Sequence, residues 1–103
     1  MNLPLTMVLL TSVSWLLAGP SAYADEALAK SKGCLGCHGI ETAIVGPAYK
    51  EVARKYAGQG VADQLAQKVM KGGGGVWGSM PMPPNSVTPE EAKTLVTWVL
   101  GLK

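Results

Sequence analysis

Apolar residues recur at the helical spacing i, i+3, i+4 and i+7 in three stretches of the chain, and each stretch predicts an amphipathic helix. The three stripes are Tyr49, Val52, Ala53 and Tyr56; Ala62, Leu65, Ala66 and Val69; and Ala92, Leu95, Val96 and Val99. A shorter helix is expected before them, through Ala27, Leu28 and Ser31. Asp25 can cap this first helix and Gly33 can end it. The pattern therefore predicts about four short helices.

The expected ends of these helices coincide with residues that favour helix termini. Pro47 suits the first turn of the second helix, and Gly58 suits its end. The glycines at 72–75 stop the third helix. Thr88-Pro89-Glu90-Glu91 opens the last helix as a capping box.

No stretch shows the period-two alternation of a half-buried strand, and no internal repeat is visible. Residues 72–86 contain Gly, Ser, Asn and three prolines, a composition that predicts a loop without strand pairing. A loop of this length in a small domain is normally functional. The chain is therefore predicted to be all-α with long loops.

The first two dozen residues differ from the rest of the chain. Residues 3–19 are almost wholly apolar, while the nine Lys and Arg and the seven Asp and Glu all lie at or after Asp25. Ala22-Tyr23-Ala24 has the small-x-small pattern that signal peptidases cut, so residues 1–24 are predicted to be a cleaved secretory signal peptide. The apolar run is shorter than the roughly 20 residues that span a bilayer. A retained membrane anchor stays open, because residues 1–4 lack the usual Lys or Arg.

Cleavage would leave residues 25–103 as a single exported domain. An apolar core alone gives a domain of this size only marginal stability, so a cofactor or a cross-link is expected to stabilise it. The formal charge is +2, which is too small for a nucleic-acid-binding surface. Nucleic acid is therefore not expected as a partner.

The most informative motif is Cys34-Leu35-Gly36-Cys37-His38, which contains both cysteines and the only histidine of the chain. Two thiols at this spacing, followed at once by a histidine, are typical of c-type haem attachment. On a helical turn the two cysteines can reach the vinyl groups on one edge of a porphyrin, while His38 can reach the iron. Export agrees with this interpretation, because such haem attachment takes place outside the cytoplasm.

Three other interpretations use the same residues. A thiol-disulfide oxidoreductase could use Cys34 and Cys37, but such enzymes expect the motif in a βαβ setting. A structural disulfide is plausible in an exported protein, although so short a loop constrains little of the unfolded chain. A zinc site lacks a ligand, because two cysteines and one histidine leave a tetrahedron incomplete.

A sixth iron ligand would distinguish an electron carrier from a ligand-binding sensor or a small peroxidase, which need an open position. Methionine suits a carrier, because its soft thioether favours ferrous iron. Met1 and Met7 would leave with the signal peptide, and Met70 is expected to fill the core beside the third helix stripe. Met80 and Met82 remain as candidates, both in the long loop.

The sequence resembles the small single-haem class I cytochromes c of bacteria, most closely the cytochrome c-551 type of denitrifying respiration. The resemblance covers essentially all of residues 25–103. Its motifs are the haem-attachment motif, Val45-Gly46-Pro47-Ala48-Tyr49-Lys50, Gly75-Val76-Trp77-Gly78 and Pro81-Met82-Pro83-Pro84-Asn85.

This resemblance implies the class I cytochrome c fold around one covalent haem c with iron. It implies Met82 as the sulfur ligand, Pro47 as the carbonyl that accepts the Nδ1 hydrogen of His38, and Asn85 as a donor near the sulfur. It also implies Trp77 as a propionate contact, whereas Trp98 is taken as a core aromatic. The position of a propionate-binding arginine is Lys68 here, which lacks the bidentate fork.

The protein is accordingly predicted to be a periplasmic electron carrier, not an enzyme, and a monomer that meets redox protein partners without inserting into a membrane. Lysines are candidates for partner contact at 30, 32, 50 and 55. Local stiffness also favours Met82 over Met80, because Pro81, Pro83 and Pro84 restrict the backbone around it.

Overall fold

The computed structural model describes residues 22–103, so the predicted signal peptide lies outside the described residues except for its last three positions. Four α-helices occur in this part of the chain: α1 (Ala22–Ser31), α2 (Tyr49–Tyr56), α3 (Ala62–Lys71) and α4 (Pro89–Leu100). A 3-10 turn, Cys34–Gly36, follows α1. No strand is present between residues 22 and 103, as predicted.

Two helix starts differ from the prediction. α1 begins at Ala22, so Asp25 lies in its first turn and does not cap it. α2 begins at Tyr49 after an extended Ala48, with ψ of 139°. Pro47 therefore precedes the helix and does not lie in its first turn. The carbonyl of Pro47 is used instead by a side chain, as described below.

The other predicted helix ends agree with the structure. Gly33 and Gly72 both have φ of +78°, a conformation that a residue without Cβ adopts freely. At α4 the Glu91 amide donates to Thr88 Oγ1 at 3.1 Å, and the Thr88 amide donates to Glu91 Oε1 at 2.9 Å. Both halves of the predicted capping box are thus formed.

Helix α4 packs against α1, α2 and α3, and it contributes to both apolar clusters of the core. One cluster joins Leu95, Trp98 and Val99 to Ala29 and Tyr49. The other is built on Ala66, Ala92 and Val96, with Met70 packed beside it as expected for a core side chain.

Two loops leave this helical frame and approach each other. The first, residues 39–48, is fixed by backbone hydrogen bonds from Val45 and Gly46 to the Cys37 carbonyl, at 3.0 and 2.7 Å. The second is the long loop after α3, closed by an isolated antiparallel bridge between Gly73 and Met82. The loop was predicted without strand pairing, and this single bridge is its exception. Across residues 22–103, no helix has the length and apolar character needed to cross a membrane.

Candidate functional site

The two cysteines lie at the 3-10 turn that follows α1. Both are free thiols; Cys34 is buried and Cys37 is exposed. The chain turns here because the amides of Cys37 and His38 both donate to the Cys34 carbonyl, at 3.1 and 2.9 Å. Burial raises the pKa of the Cys34 thiol, an effect that the Tyr49 hydroxyl partly offsets. A raised pKa is unfavourable for a redox nucleophile, which works as the thiolate.

His38 is the one buried polar side chain among the described residues, with 8% of its surface exposed. Its Nδ1 lies 2.8 Å from the Pro47 carbonyl oxygen, so Nδ1 carries the hydrogen when this contact is a hydrogen bond. The other ring nitrogen, Nε2, is then an unprotonated donor of an electron pair. A histidine held in this way is ready to bind a metal.

Tyr49 stacks on a face of the same ring. The two ring centroids are 4.8 Å apart and the planes are 16° from parallel. Trp98 in turn packs edge-on against the Tyr49 ring, with 5.6 Å between the ring centroids. Burial, and then the neighbouring Cys34, raise the pKa of the Tyr49 hydroxyl, which therefore stays neutral. Helical periodicity places Tyr49 on an apolar helix stripe and does not predict its contact with His38.

Gly46 is a second residue whose contact with His38 the sequence does not predict, although it belongs to the motif at 45–50. A Cβ at this position would lie 2.8 Å from His38 Nδ1 and 2.9 Å from Nε2. Only glycine therefore allows the loop backbone to pass so close to the imidazole. The sequence signal that could have indicated this close approach is the position of Gly46 directly before Pro47.

Met82 and Met80 differ sharply in how the backbone holds them. Met82 exchanges two hydrogen bonds with Gly73, one at 3.0 Å and one at 2.7 Å. Met80 is 68% exposed, and within residues 22–103 its backbone takes part in no loop hydrogen bond. Both side chains line the same cavity.

This cavity has a volume of about 310 Å³, and residues of both loops and of the helices line it. His38 and both thiols line it together with Met82, which lies far away in the sequence. Apolar side chains from α2, α3 and α4 complete the wall, among them Val52, Leu65, Val69, Leu95, Val96 and Val99.

Of the remaining predicted site residues, two line the cavity and one does not. Lys68 and Trp77 line the cavity, and Trp77 is 43% exposed. Asn85 is absent from the cavity wall of the described chain. Its Nδ2 donates to the Val69 carbonyl at 2.9 Å and to the Pro83 carbonyl at 3.3 Å. Asn85 thus fastens the end of the long loop to α3.

The donor set of the cavity fits a covalently held haem. An imidazole nitrogen and a thioether sulfur are axial ligands of haem iron, and two thiols at this spacing match the vinyl groups. Apolar walls suit the porphyrin face. No cluster of three His, Cys, Asp or Glu side chains that could hold a metal ion occurs in the described range.

Comparison with known proteins decides the family, because the cytochrome c family model matches residues 24–103. The chain belongs to the cytochrome c family. It is 51% identical to cytochrome c-551 of Pseudomonas aeruginosa over 97% of this chain and 98% of that protein. Cytochrome c-552 of Hydrogenobacter thermophilus is 57% identical, over 79% of this chain and 84% of that protein.

Comparison with solved structures supports the same family. Wild-type cytochrome c552 of Nitrosomonas europaea superposes with a TM-score of 0.72 and 49% identity, covering 76% of this chain and 99% of that one. The class I cytochrome c fold is thereby confirmed. This cytochrome is of the bacterial monohaem c-551 type and carries covalent haem c with iron. It is an electron carrier that interacts with redox partners, and not an enzyme.

Proposed function

We propose that this cytochrome is a periplasmic single-electron carrier whose haem iron is bound by His38 and Met82. The observation that carries the proposal is one cavity, lined by the haem-attachment motif and by a methionine whose backbone is hydrogen-bonded in place. When bound, haem supplies the one-electron couple between ferric and ferrous iron. The residues of the chain attach it, orient it and exclude water.

Cys34 and Cys37 are proposed to form the two thioether bonds. The Pro47 carbonyl holds the hydrogen on Nδ1 of His38 and so directs Nε2 to the iron. Tyr49 and Gly46 fix the ring plane, one by stacking and one by allowing the backbone to approach.

On the loop side, Met82 is proposed as the sulfur ligand, with Lys68 and Trp77 near the propionates. Lys68 can offer a single ammonium group there, without the planar fork of arginine. Asn85 is proposed as a donor near the sulfur. To donate to the sulfur, Nδ2 must give up its hydrogen bond to either the Val69 carbonyl or the Pro83 carbonyl.

The cellular role follows from the resemblance to cytochromes c-551. We propose export with removal of residues 1–24, and delivery of electrons as a monomer to terminal reductases of the denitrification type. The formal charge of +2 is nearly offset by two ionised propionates in the ferrous state. Partner contact should therefore depend on local lysines and apolar surface more than on long-range steering.

The ligand assignment is tested by replacing each loop methionine in turn. Ferric haem with a methionine ligand has a weak near-infrared charge-transfer band. We expect Met82→Ala to abolish this band and to lower the reduction potential, because the thioether favours ferrous iron. Spectra and intact mass are measured on protein released from the periplasm, where a chain beginning at Asp25 is expected.

Met80→Ala is the matched control, because Met80 lines the same cavity without the bridge to Gly73. It should keep both the band and the potential. Loss of the band in Met80→Ala alone would reverse the assignment. A wild-type protein without the band would favour an open iron position, as in a ligand-binding sensor or a peroxidase.

A further inference from the structure

The ammonium group of Lys55 lies over two aromatic rings that line the cavity, those of Tyr56 and Trp77. Its Nζ is 5.5 Å from the ring centroid of Trp77 and 5.8 Å from that of Tyr56. Distances below about 6 Å allow a cation–π attraction, which is strongest over tryptophan. Tyr56 adjoins Lys55 on α2, whereas Trp77 belongs to the long loop. The contact therefore joins the helix to the loop.

The tip of the long loop, residues 74–81, has few polar contacts with the rest of the described chain. At its neck the loop is closed by the Gly73–Met82 bridge. Within the described chain, residues 74–81 make no further backbone or side-chain hydrogen bond and no salt bridge. Gly75 and Gly78, on either side of the Trp77 segment, have positive φ and keep the backbone freedom of glycine. Among the described residues, the contact with Lys55 is thus the one polar contact that joins this tip to a helix. In the haem-loaded protein it would act beside the proposed contact of Trp77 with a propionate.

The other end of α2 is attached to the histidine side of the cavity. The Tyr49 amide donates to the Gly39 carbonyl at 2.9 Å, and its ring stacks on His38. Helix α2 therefore spans the distance between the His38 segment and the loop that contains Met82. Lys55 lies at the end of the helix where the loop is reached.

We propose that Lys55 is a positioning residue, which ties the tip of the loop to α2 through Trp77 and so retains Met82 on the haem iron. This inference rests on the proposed ligation by Met82. Without the tie, the tip moves away from α2 more often, the neck opens more often, and the iron becomes accessible to other ligands.

The test compares Lys55→Gln, Lys55→Arg and Lys93→Gln in the haem-loaded protein. Arginine retains the cation–π contact. Lys93 is an exposed lysine on α4 outside the cavity wall, so its replacement reproduces the charge change away from the cavity. The rate of imidazole binding to ferric protein reports access to the iron, and imidazole is neutral at high pH, which limits charge effects. Hydrogen exchange of the Gly73 and Met82 amides reports opening of the neck.

We expect Lys55→Gln to bind imidazole about two- to fivefold faster, and to exchange both amides faster by a similar factor, as loss of an exposed cation–π contact predicts. Lys55→Arg and Lys93→Gln should match the wild type. Unchanged rates in Lys55→Gln, or an equal change in Lys93→Gln, would overturn the proposal. A wild-type protein without the near-infrared methionine band would instead refute ligation by Met82, and hydrogen exchange alone would then decide whether the tie exists.

Discussion

At Gly46 the backbone of the first loop passes against the edge of the His38 imidazole. The contact is possible only because this residue has no side chain, since a Cβ would lie within 3 Å of both ring nitrogens. The adjacent Pro47 carbonyl accepts from the same ring. A single residue position thus sets how closely the loop approaches the histidine.

Gly46→Ala should destabilise the haem-loaded protein by about 1–3 kcal/mol, because the ring or the loop must shift to admit the methyl group. Denaturant unfolding measures the change. Gly36→Ala is the control: a Cβ there meets nothing within 4 Å, and its φ is not positive. Equal unfolding midpoints for the two variants would contradict the steric argument.

The haem-attachment motif could be predicted because it consists of three residue types at a fixed spacing. The stacking of Tyr49 on His38 could not be predicted, because periodicity only assigns Tyr49 to the buried face of α2. The stacking depends on the path of residues 39–48, which is fixed by main-chain donors to the Cys37 carbonyl. Main-chain hydrogen bonds leave no signature in residue type.

Among the helices, α4 has the best defined beginning. Glu91 closes the capping box with Thr88 and also pairs with Lys32, at 3.3 Å. The hydrogen bond from the Thr88 amide, assisted by Lys32, holds the pKa of the Glu91 carboxyl below its ordinary value of 4.5. The ionised carboxylate therefore stabilises the folded state above pH 4.5, and this contribution is lost as the pH falls through the lower folded pKa.

Glu91→Ala should accordingly be less stable than the wild type at pH 7, with a difference that shrinks as the pH is lowered below 4.5. Urea unfolding of haem-loaded protein over this pH range measures it. Glu90→Ala removes a carboxylate from the same turn, outside the capping box, and is the matched control for the loss of one negative charge. A difference for Glu91→Ala that is constant with pH would exclude the charge as its cause.

Helix ends were predicted well wherever a side chain or a glycine terminates the helix, as at Thr88 and Gly72. They were predicted poorly at α1, which begins three residues before its expected cap Asp25, and at α2, where Ala48 precedes the helix without a side-chain cap. The prediction of Pro47 in the first turn rests on the preference of proline for that position. Its carbonyl is used by His38, a tertiary contact that outweighs the local preference.

For the whole molecule, the core is small and surrounds an open cavity. Eleven apolar residues of the described chain are buried, and five of them are alanines, at 29, 48, 53, 66 and 92. The cavity of about 310 Å³ adjoins both core clusters through Leu95 and Val96. Filling it with a porphyrin would add the apolar contacts that this core lacks.

We therefore expect a Cys34→Ala, Cys37→Ala double variant without haem to be largely unfolded, because the apolar area that it buries does not offset its conformational entropy. Circular dichroism should show weak helical signal and no cooperative melting transition. A native-like cooperative transition in the haem-free variant would show that the protein core is sufficient by itself.

The Gly73–Met82 bridge also has a kinetic consequence for the proposed sulfur ligand. Because two hydrogen bonds close the loop at Met82 itself, a thioether that leaves the iron stays tethered beside it. Its effective concentration is then on the order of millimolar or more, as for other short tethers. An external ligand must be present at a comparable concentration, or bind more tightly, to compete with recapture of the same sulfur. After most dissociation events, Met82 itself would thus rebind to the iron.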